Sequence, residues 1–134
     1  VDRIESPDPN LQPHALRFPK GKKRGQLIVR PENLAIIRDA MRADVVDDDG
    51  TGRRARIEGY EVCGKTGTAE VRSPSEGRYK ITWFASFAPF ENPRYAVVVM
   101  VERGVSGGRT CAPAARKIYE ALIERDKKTG LARN

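Results

Sequence analysis

Lys65-Thr66-Gly67-Thr68 places an ammonium, two hydroxyls and a glycine within four residues, inside a run from Gly59 to Glu70 that reads as extended. An ammonium is a point charge with three donors and suits a carboxylate. Glycine allows close backbone approach, which an acyl ligand lying along a strand edge requires. The threonine hydroxyls can donate to a carboxylate or relay a proton. A solvent-facing lysine also has a plain use, guarding an edge strand against aggregation. The tripeptide alone therefore does not choose between the two; its surroundings do.

The elements that must position this segment follow from periodicity. Pro31 suits the first turn of a helix, with Glu32 favourable to its dipole. Leu34, Ile37, Met41 and Val45 then give one apolar stripe over residues 31–45. Asp47-Asp48-Asp49-Gly50-Thr51-Gly52 ends that helix with turn residues. The three aspartates look like half a calcium loop, but Arg53, Arg54 and Arg56 oppose a cation, and no metal is expected. The chemistry-bearing strand, residues 60–71, leads through a polar connector (Arg72 to Arg78) to an apolar strand at 81–88. A turn with Pro89 and Pro93 gives a second apolar strand at 95–102. Neither shows a polar face, which predicts cover on both sides, and the short connection predicts an antiparallel hairpin. Gly107-Gly108 breaks the chain. Thr110 is expected to cap a last helix, 111–125, with Pro113 near its start and Ala114, Ala115, Ile118, Ala121 and Leu122 inward. The expected fold is α/β (α+β): a three-stranded antiparallel sheet with a helix before and a helix after.

Residues 1–30 carry Pro7, Pro9, Pro13 and Pro19 and the basic run Lys20 to Arg24. They read as an extended lead-in with a solvated basic loop, in which Leu27-Ile28-Val29 is compatible with a short strand. The 134 residues fit one domain, and a hydrophobic content of 39% suits a small core or a piece of a larger domain. A net charge of +7, from 25 basic and 18 acidic residues, suits an anionic surface or partner. The basic residues are scattered, without interleaved aromatics, so no nucleic acid is expected. Cys63 and Cys111 match no zinc spacing; they could pair in an oxidising compartment, or Cys63 could be simply small and buried. Nothing apolar is long enough to span a bilayer and no signal peptide is recognisable, and the start at Val1 reads as that of an excised piece. His14 lacks an identifiable partner carboxylate or nucleophile and reads as structural or exposed. Trp83 and Phe84 read as core rather than as a ligand-stacking pair.

Taken together these residues resemble a known family. Gly64-Lys65-Thr66-Gly67-Thr68-Ala69-Glu70, then Trp83 to Pro89, Asn92-Pro93-Arg94-Tyr95-Ala96-Val97-Val98-Val99, and Gly107-Gly108 before a helix resemble class B penicillin-binding proteins. Lys-Thr-Gly is one of three motifs shared by these and the serine β-lactamases. Pro13-His14, Gly50-Thr51-Gly52 and the Leu34–Met41 helix extend the likeness over nearly the whole chain. Within class B it looks most like the elongation-type, penicillin-binding protein 2-like transpeptidases. The resemblance implies the C-terminal part of a transpeptidase domain at the periplasmic face of the inner membrane, anchored by an N-terminal transmembrane helix that this chain does not contain. It implies acyl transfer from a D-Ala-D-Ala stem peptide through a serine ester, β-lactams as trapping mimics, the cell-wall elongation machinery as partner, and no cofactor. Lys65, Thr66 and Gly67 would be catalytic, at the floor and wall of the cleft. Thr68 would join them in binding substrate, meeting the donor's terminal carboxylate, with its backbone N–H as half of an oxyanion hole.

The family also needs Ser-x-x-Lys and Ser-x-Asn. Ser6, Ser73, Ser75, Ser86 and Ser106 are followed three places on by Pro9, Glu76, Arg78, Pro89 and Arg109, and none has Asn two places on. The chain alone is therefore expected to be inactive, because an acyl-enzyme needs a nucleophile, with Lys65 an ordinary charged surface lysine. A β-lactamase or β-lactam sensor is the alternative, since both share Lys-Thr-Gly. The edge of the strand from Tyr95 to Val101 is expected to be exposed and to drive self-association.

Overall fold

The computed structural model describes residues 3–4, 16–17, 25–26, 28–75 and 77–130. His14, the basic run 20–24 and the tail from 131 fall outside them. Two compact units are present, residues 1–30 and 31–134. In the first, β1 (Arg3–Ile4) pairs antiparallel with β2 (Leu16–Arg17). Ile28 and Val29 lie in no strand, contrary to expectation. So short an apolar run forms a strand only where a neighbouring ladder accepts it, and among the described residues none does.

The second unit holds α1 (Pro31–Val46), a single 3-10 turn (Arg53–Ala55), β3 (Cys63–Ser73), β4 (Gly77–Ala88), β5 (Tyr95–Glu102), one wide π turn (Gly107–Cys111) and α2 (Ala112–Thr129). The sheet order is β3-β4-β5, antiparallel throughout, with Lys65 opposite Ala85 and Phe84 opposite Val99. Fold class and sheet are as the sequence led us to expect.

The core lies between one face of this sheet and α2. Phe84, Tyr119, Ala88, Cys111, Ala112 and Ala115 are fully buried, with Val45, Val62 and Ala55 beside them. Gly64 makes room for Phe84: a Cβ there would stand 2.3 Å from the ring. Buried hydroxyls are satisfied locally. Tyr119 donates to Ser86 Oγ (3.1 Å), which donates to the Val97 carbonyl (2.8 Å), and Thr82 Oγ1 donates to the Val101 carbonyl (3.0 Å). Near the end of α2, Asp126 accepts from the Tyr95 hydroxyl at 2.6 and 2.8 Å and pairs with Arg94 and Arg125.

Three expectations need correction. The hairpin strands are not covered on both faces: Val98 is 62% exposed, Met100 46% and Trp83 41%, because among the described residues α2 covers one face only. Phe84 is core as expected, but Trp83, next along the strand, points to the open side. Thr110 does not cap α2. The π turn delays the helix to Ala112, Ser106 Oγ accepts from the Arg109 N–H (3.2 Å), and Thr110 Oγ1 accepts instead from Val105 N–H. The buried stripe of α2 is accordingly Ala112, Ala115 and Tyr119, with Leu122 half-buried and Ile118 exposed.

Candidate functional site

β3 is an outer strand of the sheet, and its first half carries Lys65 to Thr68 on that open edge. Lys65 is exposed; its Nζ lies 3.4 Å from Asp44 Oδ1 and 3.4 Å from Thr66 Oγ1. Asp44 sits in the last turn of α1 with its side chain only 11% exposed, so α1 brings a nearly buried carboxylate to the strand edge. Thr51, in the turn after α1, donates its hydroxyl proton to Asp44 Oδ1 at 2.7 Å. That proton being spent, the 2.6 Å contact between Thr51 Oγ1 and Thr66 Oγ1 is a bond donated by Thr66. Lys65, Thr66, Thr51 and Asp44 thus form one closed chain of hydrogen bonds.

Thr68 stands outside that chain. It is exposed, and its Oγ1 accepts from Gly107 N–H at 3.4 Å, so its own proton remains to be given. The Gly-Gly pair allows this seating. A Cβ on Gly107 would meet the Trp83 carbonyl at 2.2 Å and the Gly67 backbone at 2.8 Å; one on Gly108 would meet the Thr51 carbonyl at 2.2 Å. Gly67 therefore serves the site through its backbone, where the π turn abuts.

Between the Thr51 turn, β3 and the π turn runs an open cleft of about 470 Å³, lined by Thr51, Thr66, Thr68 and Gly107 together with Arg53, Arg54 and Arg109. Of the four residues expected in the site, Thr66 and Thr68 face this cleft; Lys65 and Gly67 flank it without lining it. Asp44, Arg54 and Arg109 had been given no functional role. Asp44 was hidden inside the helix read over residues 31–45, beside the apolar stripe at Val45, and the arginines by being scattered in sequence.

Cys63, beside the motif, is buried and unpaired, as is Cys111. Burial pushes the Cys63 thiol up to about 11, so it is not a nucleophile near neutrality. A disulfide is absent from this fold.

A three-stranded sheet backed by a C-terminal helix carries Lys-Thr-Gly-Thr along its outer strand. Residues 10–120 match the penicillin binding protein transpeptidase domain, and the chain belongs to that family. It is 34% identical over 118 residues to penicillin-binding protein PbpB of Mycolicibacterium smegmatis, covering 78% of this chain and 18% of that protein. It is 37% identical over 87 residues to peptidoglycan D,D-transpeptidase MrdA of Haemophilus influenzae, covering 56% of this chain and 13% of that protein. Among solved structures, Pseudomonas aeruginosa PBP2 in complex with WCK 5153 superimposes with a TM-score of 0.64 at 31% identity, over 79% of this chain and 22% of that one. The chain thus spans under a fifth of the length of these two curated relatives.

Proposed function

We propose that the protein carrying this chain is a peptidoglycan D,D-transpeptidase and that residues 31–130 supply the donor-binding wall of its active site. The observation that carries this reading is the state of Thr68: an exposed hydroxyl on an open strand edge, with its proton unspent, beside the Lys65–Thr66 pair. In the reaction a serine Oγ attacks the carbonyl of the penultimate D-Ala. The C–N bond breaks, and the serine's proton leaves on the D-alanine amine. An amine of a second stem peptide then attacks the ester, and its proton returns to the serine. Thr68 meets the donor's terminal carboxylate with its hydroxyl, and its N–H faces the developing oxyanion; one such donor is typically worth about 3 kcal/mol in the transition state. β-Lactams enter as mimics of the donor. The nucleophile in Ser-x-x-Lys belongs to sequence outside these residues, so the chain alone does not turn over.

The resemblance of the sequence motifs to penicillin-binding protein 2-like transpeptidases supports a role in cell-wall elongation, at the outer face of the cytoplasmic membrane, with elongation proteins as partners. The open outer edge of β5, with Val98 and Met100 exposed beside it, supports self-association of the isolated chain. Labelling with a fluorescent penicillin tests the reading. The complete protein should give a covalent adduct that unlabelled penicillin competes away, and this chain alone should give none. A complete protein that stays unlabelled would refute it.

A further inference from the structure

The cleft beside Thr66 and Thr68 poses an electrostatic question that Lys65 does not answer. Its ammonium is already 3.4 Å from the Asp44 carboxylate, so the two together bring little net charge to an incoming anion. Lys65 also flanks the cleft rather than lining it. The charges that do line it are Arg53, Arg54 and Arg109, opposed by Asp49 alone. Arg53 donates to the Asp48 carbonyl and is held at the turn. Arg54 and Arg109 are exposed, and among the described residues neither side chain makes a hydrogen bond or ion pair. They come from two different elements, Arg54 from the 3-10 turn after α1 and Arg109 from the π turn, whose Gly107 also touches Thr68. Guanidinium forks match a carboxylate bidentately, and like charges converging on a cleft focus its field on an approaching anion.

We propose that Arg54 and Arg109, rather than Lys65, attract and seat the ligand's carboxylate at this cleft, delivering it to the free hydroxyl of Thr68. This inference rests on the transpeptidase reading and names the residues that select an anionic donor. Lys65, held by Asp44 and Thr66, is left to fix the geometry of the strand edge.

The test uses the complete protein that carries this chain, with benzylpenicillin and its methyl ester as probes. The quantity read is the ratio of their second-order acylation constants, which is independent of the fraction of active protein. The ratio should favour the acid in the wild type and shrink as ionic strength rises. It should fall about tenfold in the double variant R54Q/R109Q and recover in part in R54K/R109K. A ratio that neither salt nor the double substitution alters would overturn the inference while leaving the transpeptidase reading intact. A wild type acylated by neither probe would refute that reading and the inference with it. Should the double variant fail to fold, the single variants R54Q and R109Q decide in its place: each should lower the ratio, and a ratio unchanged in both would overturn the inference.

Discussion

Thr66 and Thr68 carry the same hydroxyl two residues apart on one strand, yet their protons have different fates. Thr66 gives its proton to Thr51, whereas Thr68 only accepts, from Gly107. A hydrogen bond to a charged group is worth about 1.5–3 kcal/mol, so Thr68→Val should slow acylation of the complete protein by penicillin about ten- to a hundredfold. Its melting temperature should barely move, because the side chain is exposed. An unchanged acylation rate would remove Thr68 from the site. The thiols make a second residue-scale prediction: Cys63 and Cys111 should resist a thiol reagent at neutral pH until denaturant unfolds the chain, and rapid labelling of the native state would contradict their burial. Lys65 to Thr68 stood out in the sequence because their spacing is local. Asp44 was not legible, because its contact with Lys65 spans 21 positions and depends on where α1 ends.

Among the elements, strand β4 decides the core. Phe84 is fully buried, roofed by a glycine whose Cβ would strike its ring, and faces α2. Phe84→Ala should cost about 3–5 kcal/mol of unfolding free energy, read from denaturant midpoints. A loss below 1 kcal/mol would mean the site collapses freely. At the far end of α2, the Tyr95 hydroxyl, aided by Arg125 and Arg94, holds the Asp126 carboxyl below the ordinary carboxylate range. A depressed value means the stabilisation is complete above the unfolded value of about 3.9 and is lost as pH falls through the lower, folded one. Wild-type stability should therefore drop more steeply than that of Asp126→Asn below about pH 4. Parallel acid limbs would contradict the linkage. The stripe of α2 was half legible: Ala115 and Leu122 follow from spacing, whereas Tyr119 and Asp126 are buried because Ser86 and Tyr95 satisfy them from other strands. No reading of one helix contains those partners. The cap of α2 was not legible for a related reason, since Thr110 lies in a π turn set by the seating of Gly107 against Trp83 and Gly67.

At the scale of the molecule, an antiparallel sheet with helices was legible from apolar runs and turn residues, and its family from motifs spaced along most of the chain. What misled was continuous hydrophobicity, which implied two covered faces where the described residues cover one. Val98, Met100 and Trp83 lie open beside an outer strand, so the isolated chain should sediment as a dimer or larger species at high concentration, and Val98→Lys should shift it toward monomer. A monomer at all concentrations would contradict that expectation. The account as a whole is tested most directly by a crystal structure of the complete protein acylated by a penicillin. It predicts the drug's carboxylate within hydrogen-bonding distance of Thr68 Oγ1, in the cleft between β3 and the π turn. A carboxylate bound away from that strand edge, with Thr68 still facing solvent, would contradict it.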